Sequence, residues 1–388
     1  MALRGTNQEL GRPYNRRIVL ESIRNDGPAA RGEIANRVGL TVQTVSTIVR
    51  ELEEQGYILA VREKPKGKGV PPTTLHINPE GGYAIGVSTT SVSIDAALMN
   101  LAGDVIGSAT RPCASPKPDL AFAIIEALVA EVTSLRPGGR LLGVGMAMPG
   151  PFDVQSMSFV GPTTMDGWSN VPVRARLEEI TGLPAFIAAD TVAAALGVRL
   201  YGEGAAFSQF YYLHFSVGLG GTMMQDGVSI RGAWGNAGEI GHIPVVPEGL
   251  PCPCGNCGCL ERYVSLDAFS GRPAGQSEAD WVEAVAPIFR NALTTIENLF
   301  DPETIILGGI VSTELLERLV ATASDLPNSV SARYDRTTPR IMAAVGAQSV
   351  LRGTAALAVS GVLSPRLSQI LTSDRARGRD PFLGGIAA

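Results

Sequence analysis

Cys252, Cys254, Cys257 and Cys259 fall within eight residues, and His242, one of three histidines, lies ten positions upstream of the first of them. A chain that crowds four thiols beside an imidazole must fold a loop back on itself to use them. Thiolate and imidazole donors are the ligand set of structural zinc, which takes four nitrogen or sulfur atoms in a tetrahedron. A disulfide pair or chance clustering is the competing explanation. Cysteines one residue apart cannot reach relaxed disulfide geometry, and no signal-peptide pattern opens the chain. Four cysteines and a histidine offer one donor more than zinc requires, so spacing alone does not say which is left out. Cys113 stands apart as a lone reduced thiol.

Reduced cysteines imply the cytosol. The chain has 388 residues, 45% of them hydrophobic, enough for two or three domains with buried cores. Its apolar stretches are broken by Gly or charge well short of the ~18 residues of a membrane span. The net charge of -5 excludes a wholly basic nucleic-acid coat protein, yet Arg and Lys outnumber Asp and Glu over residues 1–70. The tail Ser373–Ala388, rich in Arg, Asp and Gly, is expected to be loosely ordered.

Between Arg16 and Ile58 three short helical patterns follow one another. Val19 and Ile23 mark the inner face of the first, which stops at Asp26-Gly27-Pro28. The second covers Arg31–Arg37 with Ile34 and Ala35 inward, and Gly39 permits a tight turn. Thr41 is placed to cap the third, whose apolar residues Val45, Ile48, Val49 and Leu52 recur at helical spacing. This is helix-turn-helix spacing. The opposite face carries Gln43, Thr44, Ser46, Thr47 and Arg50, side chains suited to base edges and phosphates. Polar residues also cover any solvated helix, and small three-helix units serve as protein-docking modules. The basic stretch Val61–Gly69, with Lys66 and Lys68, and the returning strand Thr73–Ile77 favour a wing that grips phosphate.

From Tyr83 the pattern becomes that of an α/β body. Strands are expected at Tyr83–Val87, Val92–Met99, Asp104–Thr110 and Leu141–Met148, with a helix over Asp119–Leu135. Glycine-rich turns at Ser216–Thr222 and Ile305–Gly309 can let backbone approach a phosphate, although a simple bend is the commoner use.

The run Gly238-Glu239-Ile240-Gly241-His242, followed by Cys252-x-Cys254-Gly255-x-x-Gly258-Cys259-Leu260-Glu261, resembles the signature of the ROK family of sugar kinases and sugar-responsive repressors. In that family the His and three motif cysteines hold zinc. The resemblance therefore implies His242, Cys252, Cys254 and Cys259 as ligands, with Cys257 on a variable position. It implies an α/β fold: an N-terminal winged helix-turn-helix (residues 1–78), then a two-lobed actin-like ATPase, ribonuclease H-like sugar-kinase fold (79–388) with a cleft and a zinc loop at 242–261. The stretch Gly39–Ser46, with Glu51–Gly56 after it, is similar to the winged helix of ROK repressors, which ROK kinases lack.

Three segments correspond to stretches that line the family's sugar pocket, and they bring Thr163, Asp190, Glu239 and His242 forward as effector-binding residues. Asp190 matches the kinase's catalytic base. Departures from the pattern point away from catalysis. The kinase's Asp-x-Gly-Gly-Thr phosphate loop is Ser88-Thr89-Thr90-Ser91-Val92 here, and Ile310 breaks a Gly-Gly-Gly turn after Gly308-Gly309. Ala189, Val192 and Thr163 each replace a family Asn. The expectation is a zinc-stabilised, non-enzymatic repressor of carbohydrate-use genes, a homodimer or homotetramer that binds a double-stranded DNA operator, senses a sugar or sugar phosphate and has no membrane partner. A sugar kinase that also binds DNA is the alternative, and a ligand-independent DNA-binding protein a third reading.

Overall fold

The protein is described from a computed structural model. It describes residues 11–62, 73–150, 165–331, 337–344 and 349–364, together with the backbone of 152–153 and 158–159. Lys66, Lys68 and Thr163 lie outside the described residues. By internal contact the chain divides into two compact units.

Unit one opens with α1 (Arg12–Asn25), α2 (Arg31–Val38) and α3 (Val42–Glu54). The first helix starts four residues earlier than the sequence suggests, with Pro13 in its first turn. Gly39 ends α2 with φ of 68°, a left-handed conformation that costs Gly little, and this sets the turn into α3. The Thr41 hydroxyl accepts the Thr44 amide at 3.1 Å, capping α3 as expected. Val45, Val49 and Leu52 are fully buried against the other two helices. Strands β1 (Ile58–Arg62) and β2 (Thr73–Ile77) pair antiparallel, and Leu75 also bonds back to Ala29 between α1 and α2.

The change of pattern at residues 78 and 79 falls inside unit one, because the winged helix is bonded to the sheet that follows. The Arg140 guanidinium stacks over the Tyr57 ring at 4.9 Å and donates to the Gln55 carbonyl at 2.9 Å. The Asn78 side chain donates to the Gly56 carbonyl at 2.7 Å. Next come β3 (Tyr83–Thr89), β4 (Ser93–Asn100), β5 (Val105–Pro112), α4 (Pro118–Thr133) and β6 (Leu141–Met148). The short pair β7 (Phe152–Asp153) and β8 (Ser158–Phe159), which belongs to unit two, precedes α5 (Val173–Thr181) and β9 (Ala185–Ala189). The sheet order is β5-β4-β3-β6-β9, a hairpin meander followed by two strands reached through crossovers.

Unit two repeats that plan. It contains α6 (Asp190–Tyr201), β10 (Gln209–Phe215), β11 (Leu219–Gln225), β12 (Val228–Ser229), α7 (Leu266–Ser270), α8 (Glu278–Phe300), β13 (Thr304–Gly309), α9 (Thr313–Ala321) and β14 (Ile341–Ala343). Its sheet order, β12-β11-β10-β13-β14, has antiparallel pairs on one side and parallel pairs on the other. The apolar face of α8, with Trp281, Phe289, Leu293 and Ile296, packs on Tyr211, Leu213 and Ile305 of that sheet. The last helix among the described residues, α10 (Ser349–Leu363), is shared: its residues through Gly353 belong to unit two and those from Thr354 to unit one. Among the described residues no helix is long and apolar enough to cross a membrane.

Candidate functional site

The cysteine loop is folded by its own backbone. Val245 and Val246 donate to the Gly258 carbonyl, Gly258 donates to Leu250, and Leu260 donates to Ile243. A tight turn is closed by Cys252 N–H to Asn256 O at 2.8 Å and Gly255 N–H to Cys252 O at 3.0 Å. These bonds bring Cys252 and Cys254 back onto Cys259 and onto His242, which a short 3-10 turn at Ile240–His242 presents. The imidazole and the three sulfurs all lie within 4.8 Å of one another. The Cys254 and Cys259 sulfurs are 3.7 Å apart, and Cys252 Sγ is 3.6 Å from His242 Nδ1. A tetrahedron of ~2.3 Å metal–sulfur bonds has edges of ~3.8 Å, so the donor set fits such an ion. Cys257 is exposed and outside the group, and Cys113 is half-buried elsewhere.

The thiols are not equivalent. Burial pushes Cys252 and Cys259 above the usual thiol range, whereas the Asn256 amide draws Cys254 down to about 7. Two buried thiols that resist ionisation need a nearby positive charge to serve as thiolates, which a divalent cation supplies. Glu261 sits beside this group, its Oε1 3.2 Å from Cys252 Sγ and 3.4 Å from His242 Nδ1. In the sequence Glu261 stands only as the end of the cysteine motif. Its position two residues after Cys259 was the available signal.

Asp190 is the first residue of α6 and accepts the Thr191 amide at 2.7 Å. Its side chain is 19% exposed, and burial raises its pKa to about 6. Burial also raises Glu239, helped by the charges of Asp190 and Glu261 and opposed by His242. Asp190, Glu239 and His242 are thus brought into one electrostatic neighbourhood with Glu261. His214 on β10 was missed from sequence, where a histidine inside an apolar strand carries little signal. Its Nε2 is 3.9 Å from Asp190, its Nδ1 is 3.4 Å from the Tyr212 hydroxyl, and burial lowers its pKa to about 4, so it is neutral. A neutral imidazole beside carboxylates suits the hydroxyls of an uncharged polar ligand better than an anion.

On α3, Gln43 and Arg50 are exposed and Thr44, Ser46 and Thr47 half-buried. Thr41 and Thr44 bond each other at 2.8 Å, and Thr47 donates to the Gln43 carbonyl at 3.2 Å, so these hydroxyls are engaged locally on the helix. Beside them Arg12 and Arg16 reach Glu51 at 3.5 and 2.6 Å. This places two cations not singled out from sequence next to the third helix. In unit one the turn after β3 is closed on itself. The Thr90 hydroxyl accepts the Val92 and Ser93 amides at 3.2 and 3.1 Å.

The chain matches the ROK family over residues 84–360 and a winged helix-turn-helix DNA-binding family over residues 13–58. It belongs to the ROK family. The resemblance read from the cysteine motif and the two-part architecture is borne out. This ROK chain is 33% identical over 267 residues to a xylose repressor of Caldicellulosiruptor bescii, an alignment covering 67% of the chain but less than two thirds, 65%, of that relative. It is 25% identical to a xylose repressor of Bacillus subtilis, covering 68% of each. A glucokinase of Halalkalibacterium halodurans is 29% identical over 59% of the chain and 81% of its own length. Among solved structures, a ROK family transcriptional regulator, a homologue of the E. coli Mlc protein, superposes with TM-score 0.72 over 95% of this chain and 99% of its own. At 22% identity that likeness speaks for the fold alone. A ROK glucokinase from Streptomyces griseus, solved with glucose and AMPPNP, gives TM-score 0.61 at 25% identity over 72% of this chain and 100% of its own.

Proposed function

We propose that this ROK chain is a cytoplasmic DNA-binding transcriptional regulator, a repressor of carbohydrate-use genes whose unit two senses a sugar or sugar phosphate. The observation that carries the reading is a capped, winged helix-turn-helix bonded into the same compact unit as a ROK α/β sheet. Relatives named xylose repressors favour a pentose among candidate effectors. His242, Cys252, Cys254 and Cys259 would hold zinc, which clamps the loop when bound. Asp190, Glu239 and His242 would meet the effector's hydroxyls, with Thr163 as a fourth contact. Thr41, Gln43, Thr44, Ser46, Thr47 and Arg50 would meet DNA, with Lys66 and Lys68 on the wing. Paired half-sites call for an even number of chains.

Two features argue against catalysis. The Val92 and Ser93 amides that a phosphate loop would offer are taken by Thr90. A Cβ on Gly220 would meet the Thr191 methyl at 2.6 Å, so that glycine of the Ser216–Thr222 turn makes room for protein. The DNA-binding sugar kinase remains a distinct reading, favoured only by the glucokinase relatives.

The signal has a route in α10. Gly197 of α6 and Gly353 of α10 let two backbones touch: a Cβ on Gly197 would meet Ser349 O at 2.8 Å, and one on Gly353 would overlap the Ala193 carbonyl. At its other end α10 holds the DNA module, where Arg17 of α1 donates to Val362 O at 3.2 Å and Ser364 to Glu21 at 3.3 Å. A ligand at Asp190, the first residue of α6, thereby acts on a helix that ends against α1. The test is operator-fragment binding at fixed salt against D-xylose, other monosaccharides, amino sugars and their phosphates. Release of DNA by one compound is expected. Tight DNA binding that no compound alters would overturn the sensor reading and leave a ligand-independent DNA-binding protein.

A further inference from the structure

Val42 is the first residue of α3 and is 53% exposed, although the other apolar residues of that helix are at most 6% exposed. Its spacing of three from Val45 and seven from Val49 continues the apolar stripe, so pattern alone would bury it. The fold leaves it out. Helix formation does not explain it either, because Thr41 already caps the helix and a β-branched residue lowers helix propensity slightly. With Ser46 and Arg50, four and eight residues on, Val42 forms one ridge of the helix. That ridge is absent from the walls of the recess of about 340 Å³ that Arg12 and Arg16 form with Thr44 and Thr47.

An apolar, branched side chain between polar neighbours on a base-reading helix has one apolar counterpart in the major groove, the C5-methyl of thymine. We propose that Val42 is a specificity-determining residue that reads a thymine methyl in each operator half-site. This rests on α3 being the recognition helix of a DNA-binding regulator. Gln43 and Arg50 supply hydrogen bonds to neighbouring base edges or phosphates, and Val42 supplies discrimination that depends on excluding water.

Deoxyuridine replaces thymine with the loss of the methyl alone, which separates this contact from every other. With the full-length protein and an operator fragment carrying single thymine-to-deoxyuridine changes, one position per half-site is expected to weaken binding about three- to fivefold, the worth of one buried methyl group. Val42→Ala is expected to abolish that sensitivity while binding the deoxyuridine fragment as the wild type does. Val42→Thr, which keeps one methyl, should retain part of it. Equal weakening of thymine and deoxyuridine fragments by Val42→Ala would overturn the proposal in favour of a structural role. No effect on either would overturn it in favour of a side chain left for another partner. Failure of the wild type to bind any DNA would remove the regulator reading itself, a result distinct from both.

Discussion

Asp190 and His214 oppose each other in their pH dependence. Asp190 holds its proton up to about pH 6 in the folded chain, while an unfolded Asp releases it near 3.8. Stability contributed by this residue therefore falls as pH rises between those values, and the ionised, buried carboxylate costs about 3 kcal/mol above them. An unfolded His takes a proton near 6.5, whereas folded His214 stays neutral down to about 4, so its contribution is lost as pH falls through that window. The slopes nearly cancel in the wild type. Asp190→Asn should be more stable at pH 7.5, by up to about 3 kcal/mol in urea unfolding, and should lose stability more steeply than the wild type between pH 6.5 and 4. A variant no more stable than wild type at pH 7.5 would show that burial of this carboxylate carries no cost. Such a cost is what a ligand site retains when its carboxylate is kept for hydroxyls. The thiols make a second residue-scale prediction. Cys254→Ser should lose bound zinc and expose the 243–258 loop to protease, while Cys257→Ser leaves metal content unchanged. Metal analysis after gel filtration decides between them.

At the scale of elements, the N-terminal helices and the strands from Tyr83 to Met148 were legible, most helices beyond Met148 were not placed individually, and the purposes of the elements were less legible still. The second and third helices of the N-terminal module, the Thr41 cap and the strand Leu141–Met148 stand where periodicity and turn residues put them, while the first helix begins at Arg12 rather than Arg16. Val42 was not legible, because a period of three or four residues cannot say that the first turn of α3 lacks a partner. Nor were Gly197 and Gly353, which in sequence are two glycines inside helical patterns and in the fold are the contact of α6 with α10. Gly353→Ala should cost about 1–3 kcal/mol by overpacking. Arg17→Met, which removes the donor to Val362, should leave folding and basal operator affinity near wild type while reducing the sugar-induced change in affinity several-fold. Operator titrations with and without saturating sugar measure that ratio, and an unchanged ratio would remove α10 as the route.

For the whole molecule, the two sheets repeat one strand order, and each unit contributes one half of the proposed signal: DNA contact from unit one, effector contact from unit two. The winged helix is tied to the start of β6 through Arg140, to the chain entering β3 through Asn78 and to α10 through Arg17, all within that unit. In this reading magnesium and ATP should give no thermal shift, since the amides after β3 are already bonded by Thr90. A magnesium-dependent stabilisation by ATP would instead favour the DNA-binding kinase. Light scattering should give the mass of a dimer or tetramer, and a monomer bound to operator would oppose the paired half-site arrangement.

By itself the sequence determined what local chemistry can encode: helix periods and caps, the order of strands, a thiol cluster that has to converge, and the family motif around it. Only the tertiary structure decided that Glu261 and His214 stand beside the chosen residues, and that the winged helix shares a unit with the first sheet. The reason is physical. Propensity and spacing act over a few residues, whereas burial, pKa and backbone contact depend on what long-range packing sets against each side chain.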